Sequence, residues 1–539
     1  MPETLELCSF TNIPKEYSEI LSNSLTLYIL CHFYLLHLDF LQKEKEEMRT
    51  KSLCPECLNV IDAEVYESDG KILIQKRCEK HGEFDDIYWS NASLYYKFAR
   101  WMYTGNAGIR ITNTEKGCPY DCGLCPVHKS STMLAIIDLT NRCNQHCPTC
   151  FANAAASGYL YEPTMEQLRE MMKLLRSEVP PCPAVQFAGG EPTIREGFIE
   201  IVRMARGIGF SHIQVATNGI ALAKSEQFCR DMAEAGLHTV YLQFDGVTEE
   251  PYRVLRGIPA LKTKLRAIEN CRKGGLKSVV LVPTLVKGVN DHQVGDMVRF
   301  AAKNLDIIRG VNAQPIAFEG RVDEGERKSG RITIPDYIKA LEEQTDGEIP
   351  HESFYPVPFV IAISHFVEAW KGMPQLEFSV HPHCGAATYV FVENGKFIPI
   401  TEFVDVEGLM EFIEEQAEEM SKSRIGKLKA MARIITQGKK FIDHEKAPSV
   451  FDKFTFTNIL DKGNRDSLAE FHRKALFIGT MHFQDPYNFD LERVQRCGIH
   501  YVTPDGRIIP FCSYNAIHRP SVEKAFATPL HVHSRATDE

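Results

Sequence analysis

The sequence predicts an α/β fold, a partial (β/α)6 barrel with a cysteine-rich module before it and a helical and hairpin extension after it. Between about residues 130 and 320, short apolar runs alternate with helical patterns that carry apolar residues at three- and four-residue spacing. Repeated βα units form a parallel sheet with functional residues at the carboxyl ends of its strands. The predicted strands are 133–139, 184–190, 212–219, 239–246, 278–286 and 310–318, and the clearest predicted helices are 164–179, 225–237 and 263–275.

Size and composition indicate a large globular protein. With 539 residues, 44% of them hydrophobic, the chain can bury a large core and form a main domain with smaller ones attached. The formal net charge of −10 comes without a basic stripe, so nucleic acid is not an expected partner. The 17 cysteines are odd in number and clustered, which favours metal ligation by reduced thiols in the cytoplasm over a disulfide framework.

The chain divides into five predicted regions. These are a leader of uncertain status (1–47), a cysteine-rich metal-binding module (48–130), the barrel core (131–320), the helical and hairpin region (321–515) and a flexible tail (516–539). Within the leader, residues 20–41 are largely apolar, but His32, His37 and Asp39 interrupt them. A membrane-spanning helix or signal peptide, an interfacial amphipathic helix, and a stretch upstream of a natural start at Met48 all remain open.

Two groups of cysteines lie in the N-terminal module. CPEC supplies Cys54 and Cys57, and RCEKHG supplies Cys78 and His81, a set typical of a mononuclear rubredoxin-like iron or a zinc ion, with a plain zinc ribbon as the main alternative. The second group, in CPYDCGLC, comprises Cys118, Cys122 and Cys125. A different grouping stays open, in which CGLC joins CPEC and leaves Cys78 and Cys118 to other sites.

A third group of cysteines directly follows the first predicted strand, in the sequence DLTNRCNQHCPTCF. It comprises Cys143, Cys147 and Cys150. Three thiolates can hold three irons of a cubane cluster and leave the fourth iron open, whereas a structural zinc site is closed by a fourth protein ligand. Spacing alone leaves a zinc knuckle, completed by His146 or a distant residue, as the alternative.

The second predicted strand ends in GGEP, residues 189–192. Two glycines at a strand end let a ligand approach the backbone, and the carboxylate that follows can receive an ammonium group. Together with the preceding CxxxCxxC loop, this strand end resembles the radical S-adenosylmethionine (SAM) superfamily, over about residues 133–320.

This resemblance implies cofactors and a chemistry. A [4Fe–4S] cluster on the third cysteine group would chelate the amino and carboxylate groups of SAM at its open iron. One electron, supplied by an external donor such as ferredoxin or flavodoxin, would cleave SAM to a 5′-deoxyadenosyl radical that removes hydrogen from an unactivated carbon. The implied SAM-binding residues are Phe151, Gly189, Gly190, Glu191, Pro192, Thr217, Asn218, Gln243 and Asp245. For the last four, a turn-forming role is an equal alternative.

The helical region after the barrel, mainly 320–380 and 408–480, contains two segments that resemble each other, 384–400 and 497–512. Each has Cys-Gly, a short strand, an Asn-Gly or Asp-Gly turn and a second strand that ends at proline. This pattern predicts two β-hairpins.

The hairpin cysteines are Cys384, Cys497 and Cys512. They resemble the auxiliary-cluster extensions of radical SAM enzymes, and with the CPYDCGLC group they indicate one or two auxiliary [4Fe–4S] clusters. His381 and His383 beside Cys384 are candidate metal ligands, although structural hydrogen bonding is the favoured interpretation for both.

The order of these motifs, from Met48 to about residue 515, resembles the archaeal tetraether lipid synthase family. That resemblance implies a carbon–carbon bond between the terminal carbons of two saturated isoprenoid chains of an archaeal ether lipid, with peripheral membrane contact. The substrate would need a long apolar channel, for which residues 354–370 and the amphipathic segment from Gly408 are candidate walls, with ordinary core packing as the alternative.

Two other functions stay open. One is a radical SAM methyltransferase or other tailoring enzyme that acts on a pterin, another small molecule or a peptide. The other is a non-catalytic iron–sulfur protein for electron transfer or metal sensing, which GGEP and the six βα units argue against because a passive cluster carrier needs neither.

Overall fold

The computed structural model describes residues 49–105, 112–154, 158–320, 325, 327–451 and 474–529. The predicted leader, with its apolar stretch at 20–41, lies outside these residues. Within them, no helix has the length and apolar character needed to cross a bilayer.

A small antiparallel sheet forms the first part of the described chain. Its strands, in the spatial order β1–β2–β3–β4, are β1 Arg49–Leu53, β2 Val60–Ser68, β3 Lys71–Cys78 and β4 Gly82–Trp89, and helix α1 Ala92–Ala99 follows. Asp69 and Gly70 both have positive φ, as the tight turn between β2 and β3 requires. The β1–β2 connection carries Cys54 and Cys57, and β3 ends at Cys78, so the sheet brings these thiols to one end.

The six predicted strands are confirmed as a parallel sheet in sequence order. They are β5 Leu134–Thr140, β7 Ala184–Gly189, β8 His212–Thr217, β9 Thr239–Gln243, β10 Val279–Val282 and β12 Ile308–Pro315, with β11 Thr284–Leu285 as a short continuation of β10 that pairs with β12. Val, Ile, Leu and Phe side chains on these strands are fully buried between the sheet and the helices that cover it.

The helices between these strands bury one apolar face each against the sheet. They are α2 Met165–Ser177, α3 Phe198–Ile208, α4 Ile220–Lys224, α5 Glu226–Ala235, α6 Glu250–Arg256, α7 Leu261–Lys273 and α8 Val294–Lys303. Helix α2 begins with a capping box, in which the Thr164 hydroxyl accepts from the Gln167 N–H and the Gln167 side chain accepts from the Thr164 N–H. The three helices predicted most clearly from sequence are confirmed.

The C-terminal region extends this sheet at both ends. Strand β16 Ala475–Met481 lies parallel to β12, and β17 Ile499–Val502 lies parallel to β5. The two predicted hairpins are confirmed as β14 Gly385–Glu393 with β15 Lys396–Pro399, and β17 with β18 Ile508–Pro510. The prediction of a mainly helical segment up to residue 480 is wrong for β16, whose apolar run ALFIGTM is too short to distinguish a strand from a helix.

Helices and short strands complete the C-terminal region. They are α9 Arg327–Gly330, α10 Ile334–Gln344, β13 Tyr355–Pro356, α11 Ile361–Lys371, α12 Val406–Lys422, α13 Arg424–Gln437, α14 Leu491–Gln495, α15 Phe511–Ser513, α16 Arg519–Ala525 and β19 Ala527–Pro529. Strand β19 pairs with β6 Tyr159–Tyr161.

The first part of the predicted flexible tail is ordered. Arg519 is buried on α16 and forms an ion pair of 2.5 Å with Asp138 on β5, and it also contacts Glu523 at 3.1 Å. The polar sequence of this segment does not predict that it is ordered, because the carboxylate that pairs with Arg519 lies on a strand far away in the chain. Only residues 530–539 of that tail lie outside the described part of the chain.

A buried ion-pair cluster joins the small sheet to the main one. The Arg331 guanidinium donates to Asp86 on β4 at 2.6 Å and to Asp485, in the connection after β16, at 2.6 Å. All three side chains are at most 4% exposed. Asp485 also accepts from the Phe318 N–H after β12. The cluster therefore fixes the cysteine-bearing sheet relative to the end of the barrel.

Replacement of Arg331 by alanine should lower the free energy of unfolding by about 3–5 kcal/mol, because Asp485 is left buried without its ion-pair partner and Asp86 keeps only its contact with Arg327. Urea unfolding followed by tryptophan fluorescence measures the change. The matched control is Arg230→Ala, which removes the exposed pair between Arg230 and Glu226 on α5 and should cost less than about 0.5 kcal/mol. Equal unfolding midpoints for the two variants would contradict this role.

Candidate active site

The third cysteine group lies in the loop after β5, at the carboxyl end of the parallel sheet. Cys143, Cys147 and Cys150 all line one cavity of about 260 Å³. Among the described residues that line this cavity, there is no other cysteine and no histidine. The three thiols therefore face a shared space without a fourth protein ligand, as the sequence analysis expected of an open cluster rather than a closed zinc knuckle.

Gly189 and Gly190 dock directly onto the start of this cysteine loop. The Gly190 N–H donates to the Thr140 carbonyl at 2.7 Å, and the Glu191 N–H donates to the Arg142 carbonyl at 2.9 Å. A Cβ atom on Gly189 would collide with the Thr140 carbonyl, and one on Gly190 would collide with the Arg142 carbonyl. The glycines are thus required by the approach of one backbone to another, a reason that the sequence analysis, which invoked a ligand, did not foresee.

The Glu191 carboxylate organises the next strand end. It is buried and accepts hydrogen bonds from the Thr193 hydroxyl at 2.5 Å, the Thr217 hydroxyl at 2.7 Å and the Asn218 N–H at 2.8 Å. Burial raises its pKa above the usual range, against the lowering effect of these donors. A carboxylate has about four acceptor positions, so most are already used by the protein. We infer that Glu191 positions Thr217 and Asn218 at the cavity.

Seven of the nine residues implied as SAM-binding line the cavity. They are Phe151, Gly189, Gly190, Glu191, Thr217, Asn218 and Gln243. Pro192 and Asp245 do not line it. Pro192 is buried and begins a short 3₁₀ turn, and Asp245 is fully buried behind Arg256.

Asp245 acts through Arg256, which does line the cavity. The guanidinium makes a two-pronged ion pair with the carboxylate at 2.8 and 2.9 Å and donates to the Thr149 carbonyl at 3.3 Å, inside the cysteine loop. Burial alone would raise the pKa of Asp245, but the Arg256 charge outweighs it and holds that pKa below its usual range. The pair therefore stays ionised and fixes the loop next to Cys150.

Buried Lys264 holds two of the lining residues in place. Its ammonium group donates to the Asn218 carbonyl at 2.6 Å and to the Gln243 side-chain oxygen at 3.0 Å. Burial lowers the pKa of Lys264 to about 8, with Asp245 acting in the opposite direction. The polar rim of the cavity is thus preorganised before any ligand binds.

The thiols themselves suit a metal cluster. Burial raises the pKa of Cys143 to about 12 and raises that of Cys147 against the nearby charge of Arg256. Such thiols stay protonated unless a metal ion displaces the proton. Cys143, Cys147 and Cys150 would therefore hold a [4Fe–4S] cluster, with SAM between it and the residues at the ends of β7, β8 and β9.

The opposite wall of the cavity comes from the C-terminal region. The rings of Phe483 and Phe511 stack with their centroids 3.9 Å apart, and the centroid of the Tyr501 ring lies 5.4 Å from that of Phe511. Glu319, after β12, also lines the cavity, and its Oε1 atom is buried without a hydrogen-bond partner among the described residues. Burial raises the pKa of Glu319 well above the usual range, and the Asp485 charge acts in the same direction.

The small N-terminal sheet forms a compact metal site. Ligand atoms of Cys54, Cys57, Cys78 and His81 all lie within 4.8 Å of one another, with Cys57 and Cys78 sulfurs 4.0 Å apart. Ligands of a tetrahedral zinc ion with bonds of about 2.0–2.3 Å are separated by about 3.5–3.8 Å. The geometry therefore fits a mononuclear Cys3His site, and the alternative in which CGLC joins CPEC is not supported.

The remaining cysteines form two further groups behind the cavity. Cys118, Cys122 and Cys125 line one small gap between the segment after α1 and helix α14. Cys384, Cys497 and Cys512 come together beside Arg493, and the Ser513 hydroxyl next to them donates to the Cys122 sulfur at 3.3 Å. We propose both groups as auxiliary cluster sites.

The two histidines beside Cys384 have structural partners. The His383 Nε2–H donates to the Tyr95 carbonyl at 3.0 Å, and the ring stacks on Tyr95. His381 Nδ1 accepts from the His383 N–H at 3.3 Å. These contacts agree with the favoured structural interpretation.

Comparison with known proteins identifies the chain. Residues 137–301 match the family model of the radical SAM superfamily, and residues 47–90 match the HMPTM N-terminal zinc ribbon domain. A 7,8-dihydro-6-hydroxymethylpterin dimethyltransferase from Methanocaldococcus jannaschii is 54% identical over 488 residues, which cover 90% of this chain and 96% of that protein. The chain belongs to the family of this enzyme, within the radical SAM superfamily. It is a radical SAM enzyme with a [4Fe–4S] cluster, SAM and further metal sites, and it needs an external electron donor.

More distant similarities cover less of the chain. A GTP 3′,8-cyclase from Clostridium acetobutylicum is 28% identical over 204 residues, covering 38% of this chain and 61% of that protein. The solved structure of Streptococcus suis SuiB covers 40% of this chain and 46% of its own, at 15% identity and a TM-score of 0.33. This last likeness is too low to carry an argument.

The resemblance to tetraether lipid synthases leads to a wrong function. The extensive match is to a pterin dimethyltransferase, and carbon–carbon coupling of an archaeal ether lipid is not retained. The cysteine motifs that suggested it hold metal clusters and carry no information on substrate. The two candidate segments for channel walls pack as an ordinary core, which was the stated alternative. Phe359 and Phe366 pack with Met410 and Phe412 in a separate apolar core and do not line the cavity.

Several residues at the cavity escaped the sequence analysis. They are Arg256, Glu319, Phe483, Tyr501, Phe511 and Arg519. Tyr501 and Phe511 lie in the second hairpin segment, to which the sequence analysis gave no ligand-binding role, and the other four lie in no motif. The last four come from segments remote in the chain. One feature of the sequence could have indicated Arg256. It ends the helix that follows the Asp245 strand end, and a basic residue in that position can fold back to pair with the carboxylate.

Replacement of Gly190 by alanine should displace the cysteine loop, because the added methyl group overlaps the Arg142 carbonyl. After anaerobic reconstitution, the variant should lack the four irons of one cluster and retain zinc in the ribbon. The control is Gly207→Ala on α3, where nothing lies within 4 Å, and it should keep the full iron content. Full iron content in the Gly190 variant would refute the role of this contact.

Proposed function

We propose that this chain is a radical SAM methyltransferase that acts on a pterin of the 7,8-dihydro-6-hydroxymethylpterin class. The observation that carries the proposal is the 54% identity with the M. jannaschii pterin dimethyltransferase over nearly the full length of both proteins. Coverage of that extent goes far beyond residues 137–301, which match the superfamily model, so the similarity is not limited to the shared radical SAM core.

The C-terminal wall of the cavity has the chemistry to bind a pterin. A pterin is a flat bicyclic ring with N–H donors and a carbonyl acceptor along one edge. Phe483 and Phe511 offer aromatic surface, and the buried Glu319 carboxyl group, whose Oε1 atom has no hydrogen-bond partner among the described residues, can hydrogen-bond to that edge.

The cavity residues divide into two functional groups under this proposal. Cys143, Cys147 and Cys150 hold the cluster, which with bound SAM supplies one-electron cleavage of a carbon–sulfur bond. Thr217, Asn218 and Gln243 orient SAM from the opposite side. We propose a ferredoxin- or flavodoxin-type protein as the electron donor.

Anaerobically reconstituted enzyme, incubated with SAM, a strong reductant and 7,8-dihydro-6-hydroxymethylpterin, should yield 5′-deoxyadenosine and a pterin that carries one or two added methyl groups by mass spectrometry. A methyl source must be present, so the assay is run with and without cell extract depleted of protein. The Cys147→Ala variant should give neither product. Formation of 5′-deoxyadenosine without a methylated pterin under all these conditions would exclude this substrate class and leave the radical SAM assignment intact.

Replacement of Glu319 by leucine should lower kcat/KM for the pterin by about 10- to 100-fold, because an apolar side chain can neither donate to the ring edge nor accept from it. Slow formation of 5′-deoxyadenosine without pterin should be unchanged. Glu178→Leu, a substitution at a buried carboxyl group that does not line the cavity, is the matched control and should keep the wild-type value. Equal kinetic constants for both variants would remove Glu319 from substrate binding.

A further inference from the structure

The Cys384 group surrounds a buried cation. Arg493 is 1% exposed, and its Nε atom donates to the Cys384 sulfur at 3.4 Å. The Gln484 N–H donates to the Cys512 sulfur at 3.3 Å. A buried guanidinium requires negative charge nearby, and thiolates that bind a cluster supply it. The arrangement supports a cluster site in which three cysteines each bind one iron. The fourth iron of a [4Fe–4S] cluster then needs a ligand of its own.

His482 is a buried side chain with no assigned partner. It is 2% exposed, and neither ring nitrogen has a hydrogen-bond partner among the described residues. An unsatisfied buried polar atom costs about 1–3 kcal/mol, and an imidazole ring with two such atoms is a rare feature of a native fold. A ligand bond to one nitrogen would remove much of this cost.

The register of the β14–β16 ladder places His482 on the same side as Cys384. Gly385 pairs with Met481, and the His482 N–H donates to the Cys384 carbonyl at 3.0 Å, so the pairing extends one residue further. Side chains opposite each other in an antiparallel pair share a face, with Cβ atoms about 4.5–5.5 Å apart.

Neighbouring residues support the same orientation. Met481 and Phe483 line the cavity, and alternation along the chain places His482 on the other side, toward the cysteine group. Arg493 links the two positions directly, because the same guanidinium that bonds the Cys384 sulfur donates through Nη2 to the His482 carbonyl at 2.7 Å.

His383 is the rival ligand, because its Nδ1 atom is also buried without a hydrogen-bond partner among the described residues, but its other ring nitrogen is engaged. His383 stacks on Tyr95 with ring centroids 3.9 Å apart, and its Nε2 atom lies 3.0 Å from the Tyr95 carbonyl. Its ring therefore lies against α1 and β4.

We propose that His482 is the fourth protein ligand of an auxiliary [4Fe–4S] cluster held by Cys384, Cys497 and Cys512. A neutral imidazole in place of a thiolate makes the site less negative by one charge, and it raises the reduction potential relative to a four-cysteine site. The proposal concerns the cluster alone and holds for any substrate of the enzyme.

The test uses full-length protein, reconstituted anaerobically with zinc in the ribbon site and carrying Cys143→Ala, Cys147→Ala and Cys150→Ala to remove the SAM cluster. Pulsed electron paramagnetic resonance of the reduced protein should show nitrogen hyperfine coupling that changes when histidine is labelled with 15N. His482→Cys should keep the iron content, lose this coupling and lower the midpoint potential. His482→Leu should lose the coupling while its three cysteines still hold the cluster, whereas Cys384→Ala should lose iron.

His383→Gln is the matched control and should retain the coupling. Zinc content and circular dichroism verify that each variant is folded. The proposal is overturned if nitrogen coupling persists in His482→Leu or His482→Cys, or if the coupling disappears in His383→Gln.

Discussion

The contact between the end of β7 and the cysteine loop is the constraint on which the rest of the site depends. Gly189 and Gly190 lie so close to the Thr140 and Arg142 carbonyls that no side chain fits between them. This contact fixes where the loop leaves the sheet. It also brings Glu191 to the end of β8, where the carboxylate accepts from the Asn218 N–H. The same backbone contact therefore positions the cysteine loop and the residues expected to bind SAM.

The second half of the cavity has a different origin. Strands β16 and β17 extend the sheet at its two ends, and their connections bring aromatic side chains over the cysteine loop. Behind them lie two cysteine groups in a small apolar core that also contains Tyr501 and Phe511. Under the proposed function, the same aromatic wall therefore contacts the substrate on one face and encloses cysteine ligands on the other.

The sequence predicts the elements whose signals are local. Six apolar runs separated by amphipathic helices give the parallel strands, and Asn394-Gly395 or Asp505-Gly506 between two short runs gives each hairpin. The cysteine loop and GGEP are local too. The sequence does not predict β16, the order of α16 or the role of Arg256, because each depends on a partner that is distant in the chain.

Function follows the same division. The motifs identify the cofactor because its ligands must lie at fixed spacing, whereas the side chain proposed to contact the substrate, Glu319, lies in no motif. For this reason the sequence predicts the superfamily correctly, whereas the prediction of a lipid substrate is wrong. Fold and cofactor constrain a reaction type far more than they constrain the molecule that undergoes it.

The ion pair between Arg519 and Asp138 joins residues 381 positions apart in sequence. Asp138 on β5 therefore gains its cation only after α16 has been synthesised, so a chain cut short before α16 leaves this carboxylate buried and unpaired on the first strand of the barrel.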